Sequence, residues 1–434
     1  MRGRTFRQAC FICLLLVTGL GALCADTPIE QFQSLQQEIR KSRSSKDWRA
    51  NVANGHKLEI FLNESPESLL EAARADVHRG DLRDALDKVN AFVRMGQSTE
   101  LLQSSPDFAP LRGTAGFQAI ETRMSENRTP ISLASPAYRL SDAALLPEDL
   151  DYDSQTRRFL ITSVREKKIV ALDAAGMLHD FAKSPDDWPM MALRVDQRRR
   201  LVWATEVALR GFVFAPESAW GRSAILCFDL EHGTLLSRLE GPHGSALGDM
   251  ALAGNGDLIL SDGDGGGLYR LRSNARSLQR IDGADFISPQ TSAVLPDGEY
   301  ILVPDYLRGI GLFEIATKKV RWLSTQAKFA LNGIDGLYYN RGTLMATQNG
   351  TNPERVIAFT VSANFSKVTS EKVIERSTKT LGDPTHGVFA GRVFYYIANS
   401  GWDVIDDHGH LKPGAKLTEA RIMRIDNASD VGAR

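Results

Sequence analysis

The sequence predicts a mainly β chain: a six-bladed β-propeller preceded by a small α-helical domain. Three observations predict it. Between about residue 146 and residue 400, one unit recurs six times: a short apolar strand, a Gly- or Asp-bearing turn, and a second apolar strand ending in a small or polar residue. Its period of roughly 45 to 50 residues, with no helical spacing inside the unit, is that of four-stranded propeller blades. Residues 26–125 carry helical spacing instead, and an apolar leader stands before them.

The leader comes first. Arg2, Arg4 and Arg7 precede an apolar run from Cys10 to Leu23 and then Ala25-Asp26, the order of a secretory signal peptide. At about 14 residues the run is short for a spanning helix. Residues 1–25 are therefore expected to be removed, with cleavage near Ala22 to Ala25, leaving a secreted or periplasmic protein without a membrane span; an uncleaved anchor is the alternative. Cys10, Cys13 and Cys24 lie in the leader, so Cys227 stands alone in the rest of the chain, and no intramolecular disulfide is expected. Its setting, AILCFDL, is an apolar strand and predicts a buried, inert thiol. Losing three leader arginines moves the formal charge from −1 to −4, which gives no reason to expect nucleic acid as a partner.

Residues 26–125 form the helical domain. Ser65 can cap a helix whose apolar face is Leu69, Leu70, Ala73 and Val77, and Gly80 ends it. Asp81 can cap a second with Ala85, Leu86, Val89 and Phe92 on one face. The small residues Ala72, Ala73 and Ala85, and the trailing SPDFAPLRGTAGFQAI, resemble tetratricopeptide-type repeats, which implies a surface for a protein partner. ENRTPISLAS has two turn formers and no period, so residues 126–136 read as a linker.

The propeller then spans 137–430. Its first strands read PEDLDYD (from Pro147), MMALRVD (Met190), LGDMALA (Leu247), PQTSAVL (Pro289), GIDGLYY (Gly333) and THGVFAG (Thr385), and their partners end at Ser163, Glu206, Asp262, Asp305, Asn349 and Asn399. Blade 2 has the longest excursion, Arg210 to Arg222, expected to overhang one mouth of the tunnel. The last blade shows only three strands after Pro384. AYRLSD, Ala137 to Asp142, is expected to supply its fourth and leave no open edge.

In such a blade the start of the first strand and the end of the second meet at one mouth. That gathers Glu148, Asp249, Gln290, Asp335 and His386 from strand starts, with Glu206, Asp262, Asp305 and Asn349 from strand ends. So many acids at one opening call for a cation. Ca2+ is the expected divalent metal because it takes irregular sets of oxygens, whereas zinc is disfavoured without a Cys or His cluster. Any single Asp reads more simply as a turn cap, His386 as a hydrogen-bonded structural histidine or a carbonyl polariser, and Trp402 as packing or a ligand platform. RVDQRRR, Arg194 to Arg200, reads as a solvated hairpin turn, and SDGDGGG as a glycine turn. There is no GxSxG elbow and no HExxH helix.

PEDLDYD, PQTSAVLPDGEYILVPDY and GIDGLYY resemble the strand starts of the gluconolactonase, or senescence-marker-protein, family, and more distantly those of strictosidine synthase and paraoxonase propellers. The resemblance covers about residues 138 to 428. It implies a metal held by Glu148, Gln290 and Asp335, with Asp335 also the candidate base; Gln290 stands where the family has Asn, and Gly248-Asp249 where it has Asn-Asp. Two functions remain open from the residues: a metal-dependent hydrolase of a lactone or ester, or a non-catalytic propeller binding a small molecule or a protein.

Overall fold

The computed structural model describes residues 26–325 and 329–428, so the expected leader and cleavage site lie outside the described residues. Among the described residues, seven α-helices precede the strands. The first four, α1 (Pro28–Ser44), α2 (Trp48–Phe61), α3 (Pro66–Arg79) and α4 (Leu82–Arg94), run as antiparallel neighbours, followed by the short α5 (Leu101–Ser104) and α6 (Ala109–Arg112) and by α7 (Ala115–Asn127). A capping box of Thr27 and Glu30 starts α1, where two orphan amides find partners. Ser65 accepts from Ser68 N to start α3, and Gly80 ends it at φ 95°, a left-handed turn that a Cβ would strain. Asp81 does not cap α4; its carboxylate pairs with Arg79 instead. Ala73, Val77, Ala85, Val89 and Phe92 form one core with Phe108, Phe117 and Ile120, each fully buried Phe or Ile contributing about 1.5–3 kcal/mol. Leu69 is the exception to its expected face: it packs against Met95, at the end of α4, and against Ala330 of the propeller. A tetratricopeptide arrangement is not established by these seven helices. Among the described residues no helix is long and apolar enough to cross a membrane.

Six antiparallel sheets follow. Blade 1 begins at Pro147–Asp153, blade 2 at Met190–Asp196, blade 3 at Asp249–Leu252, blade 4 at Ala293–Val294, blade 5 at Gly336–Asn340 and blade 6 at Gly387–Ala390. Each first strand touches the first strands of the blades on either side, including that of blade 6 on that of blade 1, which closes the ring. Apolar layers fill the spaces between blades: Leu160 and Ile169 of blade 1, for example, pack on Leu193, Val202 and Leu226 of blade 2. Cys227 is buried, and burial pushes its thiol up to about 11, which keeps it unreactive.

The strand Ser135–Arg139 pairs antiparallel with Arg421–Ile425 and completes blade 6, so the ring is joined by strands from both ends of the propeller. Residues 126–136 are more structured than a linker. Ile131–Ser132 pairs with Arg376 and Glu375 as a fifth strand on blade 5, because that blade's long outer strand leaves backbone groups open to pairing.

The helices lie on blades 4 and 5, at the end of the ring where the first strands begin. Phe32, Leu58 and Leu62 pack on Ile287, with Leu307 against the same cluster. Arg308 Nε donates to Phe61 O (3.1 Å), and its guanidinium covers both the Phe61 and Trp322 rings. The fully buried Arg355 reaches Met95 O at 3.2 Å. On the opposite side of the same end, the blade 2 excursion packs its Phe212 on Trp402, 5.7 Å between centroids, and Val213 N donates to His408 O (2.9 Å).

Candidate metal centre

The first strands line the ring's interior, so residues at their starts face one another even when far apart in sequence. Asp249 of blade 3, Asp335 of blade 5 and His386 of blade 6 meet there: one ligand atom of each lies within 4.8 Å of the others, and all three are buried. His386 Nε2 is 3.1 Å from Asp249 Oδ1 and 4.0 Å from Asp335 Oδ1. Thr291 of blade 4 joins them, its hydroxyl donating to Asp249 Oδ1 (2.7 Å) and lying 3.2 Å from His386 Nε2. The other imidazole nitrogen, Nδ1, is 3.0 Å from the Glu148 carbonyl oxygen, which fixes the ring and assigns the proton on that side to Nδ1. Asp335 Oδ2 accepts from Asn349 Nδ2 at 2.8 Å.

Electrostatics follow from this crowding. Burial, together with the neighbouring Asp249 and Asp383, pushes the Asp335 carboxyl up to about 7, although His386 pulls the other way. Burial and the nearby Asp335 raise Glu148 well above the carboxylate range. Burial alone would lower the His386 imidazole; Asp149, Asp335 and Asp249 outweigh it and hold the ring well above its ordinary value. Asp149 is in turn held by Leu193 N (2.9 Å) and by Arg194 Nη1 (2.7 Å). Arg194 therefore belongs to the strand Met190–Asp196 and is buried against an acid, whereas the solvated turn expected of RVDQRRR begins only after it.

The nine residues expected at this end divide into two groups. Asp249, Asp335 and His386 converge, with Asn349 bound to Asp335 and Glu148 beside them through its carbonyl. The Glu148 carboxylate is bound instead by the indole N–H of Trp402. Gln290 turns away: its amide donates to Ser288 O (3.3 Å) and lies 3.1 Å from Ser288 Oγ. The pleat explains this, since consecutive residues face opposite ways and it is Thr291 that points to the centre. Asp262 accepts from the amides of Ala246 and Gly265, both at 2.8 Å, and Asp305 from those of Ile287, Ser288, Leu307 and Arg308. Both act as turn caps. Glu206 binds Ser184, just past the last strand of blade 1, and Arg238 of blade 2. Thr291 and Tyr306 leave one trace in the sequence: each directly follows a residue expected at this end, Gln290 and Asp305.

No protein-family model matches the chain, and no curated protein does. Among solved structures it is similar to a gluconolactonase from Xanthomonas campestris (15% identity, 68% of this chain and 98% of that one, TM-score 0.45). It is also similar to the pyrroloquinoline-quinone-bound aldose sugar dehydrogenase of Streptomyces coelicolor (12% identity, 69% and 99%, TM-score 0.46). A third is virginiamycin B lyase of Staphylococcus aureus (13% identity, 64% and 87%, TM-score 0.44). A gluconolactonase, the family whose strand starts the sequence resembles, is thus among the similar structures.

Proposed function

We propose that this propeller is a hydrolase of an ester or lactone, working with a divalent cation held by Asp249, Asp335 and His386. One observation carries the reading: two carboxylates and an imidazole nitrogen from three blades lie within 4.8 Å, and the imidazole's other nitrogen is bound to a backbone carbonyl. Metal-ligating histidines are oriented in that way. Pairing an imidazole with two carboxylates favours Mn2+ or Zn2+ over the Ca2+ expected from oxygen donors alone.

The bound cation would supply Lewis acidity toward a carbonyl oxygen and its water. The chain does the rest. Asp335, held at Oδ2 by Asn349 Nδ2, would be the carboxylate that orients that water and takes its proton. Thr291 orients Asp249, and Glu148, through its carbonyl, orients His386. Phe212, Phe214 and Trp402 make an apolar rim beside Glu148 that limits water. We also propose export, on the order of the leader's Arg2, Arg4, Arg7, apolar run and Ala25; mass spectrometry of the mature N-terminus tests it.

A non-catalytic binding propeller is the second reading, favoured by the balance that the imidazolium of His386 strikes with Asp149, Asp249 and Asp335 without any metal. Elemental analysis of purified protein separates the two. A stoichiometric Mn2+ or Zn2+, with Asp335→Asn weakening its retention and abolishing turnover across a panel of lactones and aryl esters, supports the hydrolase. A metal-free, chelator-indifferent protein, or unchanged turnover in Asp335→Asn, overturns it.

A further inference from the structure

A hydrogen-bond chain enters the site from blade 4 with a defined polarity. Tyr306 lies just past the strand Tyr300–Asp305. Its backbone is pinned on both sides, N donating to Ser288 O (2.9 Å) and O accepting from Gly333 N (2.7 Å). The ring fits only because residue 350 is glycine: a Cβ there would stand 2.6 Å from the phenol. Tyr306 Oη donates to Asn349 Oδ1 at 3.0 Å, and Asn349 Nδ2 donates to Asp335 Oδ2 at 2.8 Å.

The direction of that chain matters. A carboxamide can present either its oxygen or its NH2 to a neighbour, and the two ends do opposite things to a carboxylate. A phenol has one proton to give. By giving it to Asn349 Oδ1, Tyr306 fixes the amide with its NH2 end toward Asp335, so Oδ2 is occupied as an acceptor and Oδ1 is the oxygen left facing His386. Burial, with Asp335, Asp383, Glu354 and Glu67 around it, keeps the phenol protonated.

We infer that Tyr306 and Asn349 are positioning residues for Asp335, a phenol–amide relay that aims one carboxylate oxygen into the cation site. The inference rests on the cation reading above, and Tyr306 acts only through Asn349. That dependence makes it testable in the full-length mature chain with Mn2+ as the probe. Tyr306→Phe and Asn349→Leu, both close to isosteric, should each weaken Mn2+ binding by about tenfold, the usual cost of losing an outer-shell partner. In the double variant the tyrosine change should add nothing to the loss already caused by Asn349→Leu. Wild-type affinity in either single variant, or losses that multiply in the double, overturns the relay. If the wild-type protein binds neither Mn2+ nor Zn2+, the cation reading fails, and crystal structures of the variants judge the relay by itself. An Asp335 carboxylate that turns away from His386 in Asn349→Leu upholds it; one that keeps its place overturns it.

Discussion

Trp402, after the second strand of blade 6, donates its indole N–H to the Glu148 carboxylate at the start of blade 1, so one hydrogen bond ties the two blades that meet at the ring's seam. The same indole packs on Phe212 of blade 2, which links the rim to the site. Trp402→Phe keeps the packing and removes the donor. It leaves a buried carboxylate short of a partner, at a cost of about 1–3 kcal/mol. Thermal or urea denaturation should show that loss, and adding Glu148→Met should recover most of it, since replacing both partners by apolar groups is close to neutral.

Cation uptake at His386 competes with a proton. The imidazole is held well above its ordinary value by Asp149, Asp335 and Asp249 despite burial, so at neutral pH a proton must leave Nε2 before that nitrogen can ligate. Affinity for Mn2+ or Zn2+ should therefore rise with pH through the neutral range and level off only above the raised pKa of the folded protein. Calorimetry in buffers of different ionisation enthalpy should record the released proton. A pH-independent affinity would remove His386 from the ligand set.

Glu67 of α3 couples the helical layer to the ring. Its carboxylate accepts from Asn332 Nδ2 at 2.8 Å, and burial raises its pKa to about 7 from the ordinary 4.5. A carboxyl raised on folding favours the folded state while protonated. Its contribution is complete below the unfolded value and is lost as pH climbs from about 4.5 through about 7. Denaturation or limited proteolysis of the helical layer across that window should show falling stability. Glu67→Gln should flatten the profile, and an unchanged slope would place the titrating group elsewhere.

The seam strand Ser135–Arg139 covers the open edge of Arg421–Ile425. Deleting residues 135–139 should expose that edge, lower the melting temperature of the whole propeller and promote association between molecules. A deletion variant that melts like the parent would show that blade 6 does not need its fourth strand.

The candidate site was only partly legible in the sequence. Asp249, Asp335 and His386 sit at strand starts, where the repeat alone locates them. Thr291 was hidden because it differs from Gln290 by one step of the pleat, and a repeat found by eye does not say which of two neighbours faces inward. Asp262 and Asp305 look like site acids in the sequence, yet the turns after their strands present amides that claim both.

The sequence by itself determined the ring, the number of blades and the closing strand. Those follow from local alternation of apolar residues and from turn chemistry repeated along the chain, which any one blade displays. Only the tertiary structure decided which side chains share a charge environment, that the Trp402 indole reaches the Glu148 carboxylate, and that the helices rest on blades 4 and 5. Those outcomes depend on contacts between residues hundreds of positions apart, such as Glu67 with Asn332 and Glu148 with His386. Their energies arise from burial and from distances that exist only once the six blades have closed.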